Sequence, residues 1–446
     1  MSFPRYPKYK DSGVEWLGEV PEGWETASVR WISRRYSGGT PDKTKLEYWE
    51  DGTIPWLNSG AVNDRIITEP STYVTVDAFS NSSAKWIPKN ALVMALAGQG
   101  KTKGMVAQLG IPSTCNQSMA AIIPNSTIEA RFLFWWLDAN YQNIRNMAGG
   151  DLRDGLNLEL LGNIQCPIPT LTEQTTIATF LDQETAKIDT LVSEQKRLIE
   201  LLKEKRQAVI SHAVTKGLNP DVPMKDSGVE WLGEVPEHWD VKPMRMVANI
   251  VRGASPRPAG DPRYFGGDEV PWVTVAEITK NNSIYLTETE SFLTQEGSIH
   301  SNLFSRGTLI YSNSGATLGV PKILSLDACA NDGVVAFLNL SNEVNAEFLF
   351  HYLASITDSI REKVRQGSGQ PNLNTDIVKN LRFGLPPLGE QDVIVTRIAE
   401  LINQFDTLTT EAHRAIALLQ ERRSALISAA VTGQIDVRSY TKKEAS

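Results

Sequence analysis

The chain has little of what most catalytic chemistry needs. Its 446 residues hold three cysteines, Cys115, Cys166 and Cys329, and five scattered histidines. The cysteines have no metal-ligand spacing and do not make an even disulfide set. No histidine stands beside a cysteine or a second histidine, so metal catalysis has little support. The thiols are expected to be buried and reduced. No apolar run reaches the roughly 18 residues that a membrane helix needs, so no membrane span is expected. The start, MSFPRYPKYKDSG, lacks the apolar stretch of a signal peptide, which points to the cytoplasm. The net charge of −8, taken alone, argues against a nucleic-acid binder.

What is present is a duplication. KDSGVEWLGEVPE at 10–22 returns letter for letter at 225–237. The offset then stays between 215 (Lys10 to Lys225) and 217 (Gly155 to Asn372) almost to the C-terminus. Ile54-Pro55-Trp56 answers Val270-Pro271-Trp272, and FLFWWL at 132–137 answers FLFHYL at 348–353. A repeat of this length is no solenoid unit, and each copy is long enough to bury its own core. Residues 59–89 and 275–305 share almost nothing, although their flanks align.

Within each copy, short apolar runs such as Ala91–Ala97 and Val334–Leu338 read as strands, with a helix near Ile128–Tyr141 and Asn345–Arg365. The texture then changes. Thr172 to Thr215 holds no proline or glycine. Ile177, Leu181, Ile188, Leu191, Leu198, Leu202 and Val209 fall at heptad spacing, as do Ile394, Ile398, Leu401, Phe405, Leu408, Leu419 and Leu426. Thr170 and Glu173 fit a capping box, and Gly217 and Gly433 fit helix C-terminal glycines. The expected fold is α+β: two tandem modules related by a pseudo-twofold, each a mixed α/β domain followed by a long helix. The two long helices are expected to form an antiparallel coiled coil. The boundaries are 1–169, 170–217, 218–386 and 387–433, with a tail at 434–446.

Charge is distributed unevenly. Arg30, Arg34, Arg35, Lys43 and Lys45 stand against Asp42 alone, and Lys242, Arg245, Arg252, Arg257 and Arg263 against Asp261 alone. Phosphate contact needs local positive charge, not a basic protein. The segment Ala95 to Thr102 is close to a phosphate-binding GxxxxGK[ST] loop, but Ala95 replaces the first glycine, and the twin at 311–318 lacks the lysine. The shared feature is a polar, Gly-rich loop leaving a strand, which serves either as a plain turn or as an approach to phosphate and base edges. A second Gly-rich loop spans 149–155 and 366–372. Trp16, Trp24, Trp231 and Trp239 read as packing anchors.

These motifs together resemble the specificity subunit of Type I restriction–modification enzymes. The resemblance rests on the doubled KDSGVEWLGEVPE opening, GGTP…IPWLNSG and GASP…VPWVTV, GQGKTKG and SGATLG, and the helices ending ISHAVTKGL and ISAAVTGQI. It covers nearly the whole chain. It implies two target recognition domains that each read half of a split double-stranded DNA site. It implies no catalysis in this chain, two modification subunits that use S-adenosylmethionine, and restriction subunits that use ATP and Mg. The absence of an NPPY-type tetrapeptide and of an intact Walker loop agrees with this. Candidate DNA contacts in the first copy are Thr40, Lys43, Asn58, Gln99, Lys101, Thr102, Lys103, Asn116 and Gln117. In the second they are Ser255, Thr274, Asn313, Ser314, Thr317 and Asn331. Arg34, Arg35, Arg252 and Arg257 fit phosphate better. Two rival readings remain at this level: a nucleotide-dependent enzyme built on GQGKT, and a scaffold with two protein-binding heads.

Overall fold

The computed structural model describes residues 3–98, 101–147, 155–315, 317–365 and 373–439. The chain divides into two units: residues 1–195 with 414–446, and residues 196–413. Each division falls inside a long helix, so each unit holds one globular domain, the start of one long helix and the end of the other.

In the first unit a five-stranded sheet runs Ser33–Ser37, Met119–Pro124, Leu92–Ala95, Val106–Leu109, Ile66–Ile67. Its first three junctions are antiparallel and its last is parallel. Alternate residues serve two cores. Leu92, Met94, Ala120 and Ile122 face the helix Ala130–Ala139, while Val93, Ala95, Met119 and Ala121 face the other way. A strand buried on both faces must be apolar throughout, which is why the run at 91–97 shows no alternation. The second unit repeats the order and directions with Asn249–Arg252, Val334–Leu338, Leu309–Ser312, Pro321–Leu324 and Tyr285–Leu286.

A smaller sheet lies beside each large one. It joins Thr114–Cys115, Ile54–Leu57 and Thr72–Val74 in the first unit. In the second it joins Ala328–Ala330, Phe265–Val273 and Phe292–Leu293, with a further strand at Asn302–Phe304. The further strand has its counterpart in the single bridge Ile87 to Ser113. The segments 59–89 and 275–305, unlike in sequence, therefore keep one element order: a helical turn, two short strands and a short helix capped by Thr75 or Thr294.

The opening repeat folds alike in both units. Tyr9–Asp11 pairs with Glu19–Pro21, and Met224–Asp226 with Glu234–Pro236. Trp24 and Trp239 are buried; Trp16 and Trp231 are partly exposed, and Trp16 stacks on Trp136 at 5.6 Å. All three cysteines are buried and free, and desolvation pushes the Cys115 thiol up to about 12.

The long helices are Leu171–Lys216 and Leu388–Val431. The capping box forms: Thr170 N–H donates to Glu173 Oε2 at 3.3 Å, and Glu173 N–H to Thr170 Oγ1 at 3.4 Å. Gly217 and Gly433 close the helices at φ +77° and +72°, which glycine adopts without strain. In the first unit Ile177, Leu181 and Ile188 share a core with Leu426, Ala430 and Val431. Glu173 meets Arg438 at 3.9 Å and Asp189 meets Arg423 at 2.9 Å, so the segments run antiparallel. In the second unit Ala213 and Val214 share a core with Ile394 and Ile398, and Arg206 meets Asp406 at 2.7 Å, again antiparallel.

The seam leaves its strict heptads near mid-helix, where Ile199 and Ala412 are buried instead. Leu191, Leu198 and Leu408 are 45%, 42% and 47% exposed, while Ile177, Leu181, Ile394 and Ile398 are buried. A straight α-helix drifts about 20° per heptad against a 3.5-residue pattern, so a stripe that begins in the core turns out of it.

Candidate nucleic-acid interface

In each unit four loops meet at one end of the large sheet. Two glycines make this possible. Gly38 follows the strand Ser33–Ser37, and a Cβ there would lie 2.0 Å from the Cys115 carbonyl oxygen. At Gly253 the same atom would lie 2.2 Å from the Asn331 carbonyl oxygen. Only glycine lets the backbone come this near. Gly39 N–H donates to Cys115 O at 2.8 Å and Ala254 N–H to Ala330 O at 2.9 Å. Asn116 N–H donates to Leu57 O and Asn331 N–H to Val273 O. These bonds fix the equivalences: Gly38 with Gly253, Thr40 with Ser255, Asn58 with Thr274, and Asn116-Gln117 with Asn331-Asp332.

The Gly-rich loop between strands is the next member. Gly104 N–H donates to Ala95 O and Gly319 N–H to Ser312 O. Gly104 and Gly319 have φ of +86° and +88°. Each loop is held from behind by an arginine, with Arg145 donating to Lys103 O at 3.5 Å and Arg361 to Leu318 O at 2.8 Å. Tyr141 and Thr357 hydroxyls donate to Lys101 O and Gly319 O. Loop 149–155 and loop 366–372 fall almost wholly outside the described residues, as does Gln99.

Among the candidate contacts, Thr40, Asn58, Asn116 and Gln117 come together in the first unit, and Ser255, Thr274, Ser314 and Asn331 in the second. Asn58 caps a helical turn by accepting from Gly60 N–H at 2.8 Å, while its side chain stays exposed. Lys101 and Thr317 are exposed. Thr102 lies partly covered beneath Gly98.

Other expectations need correction. Lys103 is 5% exposed and stands where the second unit has buried Leu318, so its position faces inward. Asn313 is 1% exposed and stands where the first unit has Leu96: Leu156 N–H donates to Leu96 O as Leu373 N–H does to Asn313 O. Among the described residues, neither side-chain polar atom of Asn313 has a partner. Arg34 and Arg35 stand further from their loop than Arg252 does from its own. With Gly38 matching Gly253, they align with Asn249 and Ile250. Extended chain rises about 3.3 Å per residue, which puts them roughly 10–20 Å up the strand from Thr40. Arg35 is half-buried under Gly162, with NH1 on the Ser33 carbonyl, and desolvation lowers its pKa. Arg34 is exposed over the Tyr36 ring.

The two basic stretches also differ. In the second unit Lys242 pairs with Glu343 at 3.0 Å, Arg263 with Asp261 at 2.7 Å and Arg257 with Asp332 at 3.4 Å. Among the described residues, Arg30, Arg34, Lys43 and Lys101 of the first unit form no ion pair. Sequence reasoning missed Asp332, Arg145 and Arg361. The only signal for Asp332 was an acid opposite Gln117 beside a basic stretch. The two arginines carried none, because their partners are backbone carbonyls.

A family model described as the Type I restriction modification DNA specificity domain matches residues 21–201 and 236–417. The chain is 23% identical to the StySPI specificity subunit of Salmonella potsdam, over 94% of this chain and 90% of that one. It is 24% identical to the EcoKI specificity subunit of Escherichia coli (strain K12), again over 94% and 90%. Identity to the EcoR124I/EcoR124II specificity subunit of Escherichia coli is 30%, over 43% of this chain and 47% of that one. Two solved structures share the fold. A chain of a type I R-M system superposes with a TM-score of 0.67 at 18% identity, covering 93% of this chain and 99% of that chain. The HsdS subunit from Thermoanaerobacter tengcongensis gives 0.60 at 16% identity, covering 93% and 98%. With both modules matched by the family model and the loop frame repeated in each, the chain belongs to the Type I restriction–modification DNA specificity family.

Proposed function

We propose that this specificity subunit, which carries no catalysis of its own, reads a split double-stranded DNA target through its two loop clusters. The proposed target recognition domains are residues 1–169 and 218–386, joined to conserved helices at 170–217 and 387–433. The observation that carries this reading is one backbone frame used twice with different polar side chains on it: Thr40, Asn58, Asn116 and Gln117 against Ser255, Thr274, Asn331 and Asp332. Two readers on equivalent scaffolds suit two half-sites of different sequence. Lys43 and Lys101, exposed and without ion pairs, suit phosphate.

In this reading the partners are two modification subunits that bind S-adenosylmethionine and methylate adenine, together with restriction subunits that use ATP and Mg. The setting is the cytoplasm, and no helix among the described residues is long and apolar enough to cross a membrane. The test is co-expression with the modification subunit, followed by mapping of methylated adenines on plasmid DNA by single-molecule sequencing. A split motif methylated on both strands supports the reading. A stable complex that methylates nothing, or an undivided motif, rejects it.

A further inference from the structure

One pair of equivalent positions differs in chemistry while its frame does not. Position 117 carries an exposed amide and position 332 a carboxylate. Each takes a hydrogen bond from the hydroxyl of its glycine loop: Thr40 Oγ1 donates to Gln117 Oε1, and Ser255 Oγ to Asp332 Oδ1 at 2.7 Å. Beyond that bond they part. Gln117 keeps its amide NH2, and the second lone pair of Oε1, without a partner among the described residues. Asp332 gathers two arginines. Arg252 Nε donates to its carbonyl oxygen, and Arg257 NH2 lies 3.4 Å from Oδ2.

The Arg257 side chain is 70% exposed, so this ion pair is worth little in stability. Its effect is directional: one nitrogen rests on the carboxylate, and the remaining donors of the fork stay open. The Ser255 hydroxyl and the flanking arginines hold the Asp332 carboxyl below its ordinary range, so it is ionised at neutral pH. A phosphate brought to Arg257 meets that negative charge, whereas the neutral edge of a base does not. A guanidinium matches O6 and N7 of guanine, and an amide matches N6 and N7 of adenine, both in the major groove.

We propose that these twin positions set different base choices: Gln117 selects adenine in the first unit's half-site, and Arg257, positioned by Asp332, selects guanine in the second unit's. This rests on the DNA-reading function proposed above. It also moves Arg257 from the phosphate role that sequence assigned to it. The test uses the full chain co-expressed with its modification subunit. Methylation is mapped on a plasmid library with both half-sites randomised, and gel shifts on the preferred duplex are run across a salt series.

Arg257→Ala is expected to relax one guanine of the second half-site, leave the first half-site unchanged and weaken binding about 10- to 100-fold, the equivalent of one bidentate contact. Gln117→Ala is expected to relax one adenine of the first half-site alone. Asp332→Asn, which keeps a partner for Ser255, is expected to blur the same guanine as Arg257→Ala without touching other positions. Uniform weakening with a shallower salt slope for Arg257→Ala marks a phosphate contact and overturns the guanine assignment. Unchanged motifs for both alanine variants overturn the whole proposal. A wild-type complex that methylates nothing fails at the function itself, which the variants' behaviour does not mimic.

Discussion

At their loop clusters the two units share a backbone and differ in what stands on it. Gly38 and Gly253 make the same close approach, yet Gln117 corresponds to Asp332, Leu96 to Asn313, and Lys43, without an ion pair among the described residues, to a stretch whose cations are mostly bound by Glu343, Asp261 and Asp332. At the helix junction, Trp135 under Arg423 in the first unit becomes His351 near Arg206 in the second. The difference teaches which positions hold the frame and which are free to vary. Glycines and backbone bonds are held in both copies, while side chains on the frame diverge.

The largest expected effect comes from breaking the shared frame. Gly38→Ala forces a methyl against a carbonyl oxygen and is expected to cost about 3 kcal/mol or more, as overpacking with backbone displacement does. Gly389→Ala, with nothing within 4 Å of its Cβ, is the control and should be near neutral. Hydrogen exchange of the first unit's sheet reports the former and exchange of the second unit's sheet the latter. Exchanging the odd pair tests the comparison in opposite directions. Leu96→Asn buries an amide and should lose about 2–3 kcal/mol, whereas Asn313→Leu should gain about 1–2, since an unpartnered buried amide is removed. Denaturant titration with a probe in each unit reads the sign.

His351 gives the second unit a pH dependence that Trp135 cannot give the first. Burial and the nearby Arg206 charge push its pKa from the ordinary 6.5 to about 4, so the folded state favours the neutral ring. A folded pKa below the unfolded one means that stability is full above pH 6.5 and falls as pH drops towards 4. The loss at pH 5 relative to pH 8 is about 2 kcal/mol. His351→Phe should abolish that difference in the second unit, and an unchanged acid sensitivity would locate it elsewhere. The smallest effect is on salt dependence. Lys43→Ala with Lys101→Ala should lower the slope of log affinity against log salt by about 2, one per phosphate contact. Lys242→Ala with Arg263→Ala, whose charges are already paired, should leave it unchanged in the same gel-shift series.

Much of the frame was legible in sequence because duplication supplied its own comparison. The capping box, the closing glycines, the packing tryptophans and the doubled module all follow from local rules or from letters repeated at fixed offset. The loop cluster was legible only as polar, Gly-rich stretches. Lys103 looked like a contact and is buried, and Arg34 and Arg35, grouped with Arg252 and Arg257 as phosphate contacts, stand further up their strand. Linear charge counting has no register, whereas a strand end moves a side chain by about 3.3 Å per residue and alternates its face.

By itself, then, the sequence determined that there are two modules, where each long helix begins and ends, and which glycines close those helices. Only the tertiary structure decided which residues share a surface. The long helices pair within each unit through residues that leave the strict heptads near mid-helix, because a straight helix turns its stripe away. Gln117 and Asp332 already stood opposite each other at the repeat's offset, but only hydrogen bonds between segments far apart in the chain put each one under the hydroxyl of its own glycine loop.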